Sequence, residues 1–169
     1  MKKIIILVFT EGTVLMHSSL KGLTRKQRVE KSKKRKRPLP NDYFKHEIPN
    51  GNAVKKLKSW KNKGAEIYYL TSTTSEKEID YIKSVLKRYN FPDNNNLLFR
   101  RKKEEYKDVA ERLMPDILIE DDCESIGGKQ EMTYINIKPE LKKKIKLIKV
   151  KEFAGIDYLS DRLEILLNS

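Results

Sequence analysis

Three apolar runs in this chain end in polar residues whose types suit one kind of chemistry. Thr10-Glu11-Gly12-Thr13 follows the first, Thr71-Ser72 the second and Glu120-Asp121-Asp122 the third, with Glu124 just beyond and Lys107 ahead of the last run. Converging carboxylates suit a hard divalent cation such as Mg²⁺, which takes oxygen ligands. Hydroxyls with neighbouring backbone N–H groups suit phosphate oxygens, and a lysine would balance their charge. Taken singly, each group has a plain structural reading. Thr71 and Ser72 would cap a helix, the acidic triplet would be a solvated turn, and Lys107 would be a surface lysine. Their joint placement at strand ends is what points to a site.

The elements that must position these groups are legible from periodicity and punctuation. Lys3 to Phe9 is a continuous, β-branched run that predicts a buried strand. Asn52 caps a helix with Ala53, Val54, Leu57 and Trp60 on one stripe, and Gly64 stops it. Ala65 to Leu70 predicts a second strand. Ser75 with Glu78 forms a capping box for a helix carrying Ile79, Ile82, Leu86 and Tyr89 as far as Asn90. A short strand follows at Leu97 to Phe99, then a helix from Glu104 to Leu113 ended by Pro115, then a strand from Asp116 to Ile119. A weak strand near Met132 to Ile135, a basic strand near Ile145 to Val150 and a helix from Ile156 to Leu167 complete the reading. This alternation predicts an α/β fold, a doubly wound parallel sheet with helices on both faces, in a single domain. In that class ligands bind outside the carboxyl ends of the strands, where the polar groups fall. Residues 18–49 break the pattern with few apolar positions, Pro38 and Pro40, and read as a basic, partly mobile insertion over that edge.

The chain has 169 residues, 38% hydrophobic and 36% charged, enough for one core under a heavily charged surface. No apolar run approaches the roughly 20 residues of a membrane helix. The run ending at Phe9 is too short for a signal-peptide core and has no small-residue cleavage site behind it, so the expected location is cytoplasmic. A single cysteine, Cys123, agrees with a reducing compartment. Acids beside it would raise its thiol pKa, and with His17 and His46 it makes no zinc spacing. The net charge of +13 is concentrated between Lys21 and Arg37 and between Lys138 and Lys151. The first segment is a candidate footprint for nucleic acid or another polyanion. The alternative is a Lys-rich proteome or a high-temperature source.

Phe9-Thr10-Glu11-Gly12-Thr13 after an apolar strand resembles the first motif, Asp-x-Asp-Gly-Thr, of the haloacid dehalogenase-like (HAD-like) superfamily. Thr71 or Ser72 resembles its second motif, Lys107 its third, and Ile119-Glu120-Asp121-Asp122 its acidic fourth. Residues 18–49 then fall where these proteins carry a first cap insertion. The resemblance implies a phosphorylated ligand, a Mg²⁺ ion held by Glu11, Asp121 and Asp122, phosphate-binding roles for Thr71, Ser72 and Lys107, and catalytic roles for Glu11 and Lys107. It also exposes a departure. In the family the first Asp attacks phosphorus and binds Mg²⁺, and the second is the general acid/base. Those positions are Phe9 and Glu11 here, and a phenyl ring can neither attack nor ligate. Three readings follow: a phosphate-binding protein without phosphoaspartyl chemistry, a divergent phosphohydrolase whose metal activates water directly, or a nucleic-acid binder with a vestigial site.

Overall fold

The unbroken apolar run becomes β1 (Ile4–Phe9), the middle strand of a five-stranded parallel sheet. β4 (Ala65–Leu70) pairs with it on one side, with Ile4 opposite Ala65 and Phe9 opposite Leu70, and β5 (Leu97–Leu98) lies beyond β4. On the other side come β6 (Ile117–Asp121) and β7 (Lys146–Val150). The computed structural model describes residues 3–169. Alternation along the strands divides the core. Ile6, Val8, Ile67, Tyr69, Ile117, Ile119 and Ile148 face α2 (Ala53–Asn62), α3 (Glu76–Arg88) and α6 (Leu163–Asn168). Leu7, Leu70 and Leu118 face the opposite layer, where α4 (Tyr106–Leu113) contributes Val109 and Ala110, and Ile137 and Ile145 flank α5 (Pro139–Lys142). A sheet buried on both faces explains why its strands read as continuous apolar runs. The doubly wound α/β class is therefore observed.

Two expected elements are different in the fold. Residues 132–135 form no strand. The backbone N–H groups of Thr133 and Tyr134 donate to the buried Glu120 carboxylate (2.7 and 2.9 Å), so the ladder loses them to a side chain. The C-terminal helix begins at Leu163 rather than near Ile156. Residues ahead of it are tied to α2 by side chains: Asp157 accepts from the Asn52 N–H, and Trp60 Nε1 donates to the Ser160 carbonyl (2.9 Å).

Residues 18–46 lie between β2 (Leu15–His17) and β3 (Glu47–Pro49), which pair antiparallel as a separate ribbon, so the expected insertion 18–49 takes in β3. They hold α1 (Arg25–Lys33), whose N-terminus carries a Thr24/Gln27 capping box, and a short helical turn at Tyr43–His46 whose Phe44 enters the main core. Arg25 and Arg28 fasten α1 to the body by donating to the Glu152 and Phe153 carbonyls (3.0 and 3.1 Å). Among the described residues no helix is long and apolar enough to cross a membrane.

Candidate functional site

Beyond Phe9 the chain leaves β1 in a tight turn. Thr10 donates its N–H to the Leu70 carbonyl (3.0 Å), and its own carbonyl accepts from Val14 and Leu15. Gly12 sits in this turn at φ +84°, and a Cβ there would lie 2.9 Å from Asp121 Oδ2. The glycine is required twice, for its left-handed backbone and for the approach of β6. Gly12→Ala is expected to cost about 2 kcal/mol, combining left-handed strain with crowding. Gly22, at φ +78° with nothing near its absent Cβ, isolates the first contribution. Thermal denaturation should therefore show a clearly larger loss for Gly12→Ala than for Gly22→Ala.

Glu11 ties the ends of β1 and β4 together. Its Oε1 accepts from the Thr71 hydroxyl (2.6 Å), and its Oε2 accepts from the Ser72 N–H (3.0 Å) and the Thr10 hydroxyl (2.7 Å). Asp121 is bound as fully: Oδ2 accepts from the Thr13 hydroxyl (2.8 Å) and Oδ1 from the Cys123 N–H (2.9 Å). Burial, with Glu152 close by, pushes the Asp121 carboxyl up to about 6. Burial likewise pushes Glu120 up to about 7, against two backbone N–H donors that favour its anion. Asp122 Oδ1 accepts from the Glu152 N–H (3.0 Å). The Cys123 thiol is raised by burial and these acids, which is the opposite of what a nucleophile needs.

A cavity of about 660 Å³ opens at this edge, between the strand ends and the insertion. Of the site residues singled out in the sequence, Glu11, Ser72, Glu120 and Asp121 line it; Thr71 stands behind Glu11, and Asp122 is turned to the β7 end. Lys107 does not line it and pairs instead with Glu105 (2.9 Å). Tyr106 takes the place facing the cavity, for a helical reason. It shares a stripe with Val109, Ala110 and Leu113, and Lys107 is one step, about 100°, round the helix. Phe9 also lines the cavity, its ring edge-on to Tyr106 at 5.3 Å, with the Arg100 guanidinium over the other side chain of the pair at 4.1 Å.

Two contributions were not read from the sequence. Glu152, buried just past β7, lines the cavity and accepts from Ser125 through both its N–H and its hydroxyl (2.6 Å each). The signal that finds it is the one used for Glu11 and Asp121, a carboxylate at the end of an apolar strand. The other is Arg35 and Arg37, visible in the sequence only as part of a basic run, which line the cavity from the insertion.

A divalent cation at such an edge needs carboxylate oxygens free to converge on one point. Here both oxygens of Glu11 and both of Asp121 already accept internal hydrogen bonds, Phe9 supplies no ligand, and among the described residues no three His, Cys, Asp or Glu side chains form a metal-holding group. In this arrangement the side chains do not fit a Mg²⁺ site.

No family model matches the chain, and no curated protein matches it in sequence. Solved structures do match in fold. The class C acid phosphatase from Bacillus anthracis superposes with a TM-score of 0.58 at 16% identity, over 99% of this chain and 79% of that one. The tungstate-bound form of that phosphatase gives 0.57 at 17% identity, over 92% and 70%. A chain of the Pnkp1/Rnl/Hen1 RNA repair complex gives 0.55 at 13% identity, over 88% of this chain but 43% of that one. At such identities the likeness establishes the fold alone: the α/β arrangement around a five-stranded parallel sheet is shared with the class C acid phosphatase structures.

Proposed function

We propose that this protein binds a phosphorylated ligand in the cavity at the carboxyl edge of the sheet and does not form a phosphoaspartyl intermediate. The observation that carries the reading is Phe9. Its ring packs on Tyr106 at the strand end where the resemblance calls for a nucleophilic carboxylate. Groups suited to an oxyanion nonetheless surround the cavity: Arg35 and Arg37 from the insertion, with Ser72, Thr73 and Thr74 ahead of α3. Seven carboxylates also line the cavity, and burial reduces their negative charge by raising four of them, Glu47, Glu120, Asp121 and Glu152, above the usual carboxylate range. Glu11, as the hydrogen-bonded tie between two strands, acts as an orienting group for Thr71 and Ser72 rather than as a proton carrier. Residues 18–49 serve as a cap over the site.

The test pairs binding with turnover. Inorganic phosphate, tungstate and a panel of sugar and nucleotide phosphates should include compounds that raise the melting temperature, and Arg37→Ala should remove the shift. With an aryl phosphate and Mg²⁺ or Mn²⁺, phosphate release should not exceed that of Asp121→Asn purified alongside. Release that vanishes in Asp121→Asn would overturn the reading in favour of a metal-dependent phosphohydrolase built on Glu11 and Asp121.

A further inference from the structure

A second cavity, of about 610 Å³, lies within the insertion and shares four wall residues, His17, Arg35, Leu39 and Tyr43, with the first. Its remaining wall is strongly basic. Lys31, Lys34 and Lys36 line it beside Arg35, and none of the four pairs with a carboxylate among the described residues. The acid on that wall, Asp42, is paired with His46 at 3.3 Å. The structure thus divides the basic run. Arg25 and Arg28 are occupied in holding α1 to the body and Lys33 pairs with Glu30 at 3.5 Å, whereas Lys31, Lys34, Arg35, Lys36 and Arg37 line the two cavities, Lys31 also donating to the Ser19 carbonyl. At the shared wall the His17 ring stacks on Tyr43 at 4.1 Å and 16°, and the Arg35 guanidinium lies over the Tyr43 ring at 4.7 Å.

We infer that the two cavities are one site for single-stranded nucleic acid, with a terminal phosphate in the larger and the adjoining backbone phosphates along Lys31, Lys34 and Lys36 in the smaller. This rests on the phosphate-binding reading of the larger cavity. A lone phosphate needs one or two cations; a row of them running from one cavity into the next matches a ligand of repeated negative charge. The recess is concave, which a flat lipid surface cannot enter. Tyr43 already carries His17 and Arg35 on its ring, and the His17 ring, which lines both cavities, is the one on which a planar base would extend the stack; an acidic peptide has no such group.

The experiment is fluorescence anisotropy with a short labelled oligo(U) ending in a phosphate, and the same strand ending in a hydroxyl, across a salt series. The phosphate-ended strand should bind several-fold tighter, and Arg37→Ala should erase that difference. The logarithm of affinity should fall with the logarithm of salt at a slope of about −2, since each neutralised phosphate of a single strand contributes about 0.7. Lys34→Glu with Lys36→Glu should weaken binding about tenfold or more, with Lys34→Gln intermediate; both lysines are exposed, and circular dichroism checks the fold. Equal affinity for the two strand ends, or unchanged affinity in the charge-reversed variant, overturns the inference. So does equally tight binding of polyglutamate or anionic vesicles. If small phosphates raise the melting temperature and the strand does not bind, the inference falls and the phosphate-binding reading stands. If the strand binds only through the lysines and no small phosphate binds, both fall.

Discussion

Raising the pH from 5 to 8 is expected to destabilise this protein by about 3 kcal/mol or more, lowering its melting temperature by roughly 10 °C. The cause is the group of carboxyls at the ends of β6 and β7. Burial raises Asp121 to about 6 and Glu120 to about 7, and raises Glu152 as well, whereas in the unfolded chain these carboxyls titrate near 4. A carboxyl with a raised folded-state pKa binds its proton more tightly when folded. Its contribution is therefore complete below about pH 4 and is lost as pH rises through 6 and 7. Two effects oppose this. The carboxyls of Glu104, Glu124 and Asp161, held low by hydrogen bonds from Arg101 and Arg112, Arg25, and Lys56 respectively, lose their contributions on the acid side. His17, lowered by burial and Arg35, favours the fold as pH rises through its range. Stability should thus peak near pH 5, with the buried carboxyls dominating above it. Glu120→Gln and Asp121→Asn should each flatten the alkaline limb in thermal melts from pH 5 to 8. A wild-type melting temperature that climbs from pH 5 to 8 would show these carboxyls to be ionised throughout.

The second large effect is expected at Glu11. Glu11→Gln keeps the shape of the side chain but replaces one acceptor oxygen by an N–H donor. Oε1 and Oε2 accept three hydrogen bonds between them, from Thr71, Ser72 and Thr10; an amide nitrogen facing the Ser72 N–H sets donor against donor, one facing Thr71 obliges that hydroxyl to turn and accept, and in either case every bond loses its charged partner. Hydrogen bonds to a charged partner contribute about 1.5–3 kcal/mol each, and the Thr10 hydroxyl retains the Leu70 carbonyl as a second acceptor at 3.2 Å. A net loss of about 3 kcal/mol follows, or a melting temperature lower by about 6–12 °C. Thr71→Val should remove part of the same tie, and the double variant should lose less than the sum of the singles, because both break one network. A Glu11→Gln protein as stable as wild type would mean that the carboxylate is not held by the strand ends and is free for proton transfer.

The first and fourth motif-like segments disclose most of the site, because β1 and β6 are short and buried, and acids follow their apolar runs at once, just past β1 and in the last two residues of β6. Glu11 and Asp121 were found in that way, and Glu152 obeys the same rule at β7. The lysines of β7 and Lys151 mask that acid in the sequence, where the segment stands out as basic. Order in the chain points to Lys107, which instead pairs with Glu105. The stripe of Tyr106, Val109, Ala110 and Leu113 already implied that its neighbour would face the sheet.

Sequence alone was sufficient for the alternation of strands and helices, the doubly wound class, and the presence of Phe9 and Glu11 at the end of the first strand. Those features depend on periodicity, caps and breakers that act over a few residues. Tertiary structure decided which oxygens of Glu11 and Asp121 are already bound and that Thr133 and Tyr134 surrender their amides to Glu120. It also brought Arg35 and Arg37 to the cavity at the strand ends and set a second cavity against the same wall at Tyr43. Each of these depends on which strands are neighbours and on how a loop from residues 18–49 returns to the sheet, contacts between groups far apart in the chain that no local pattern encodes.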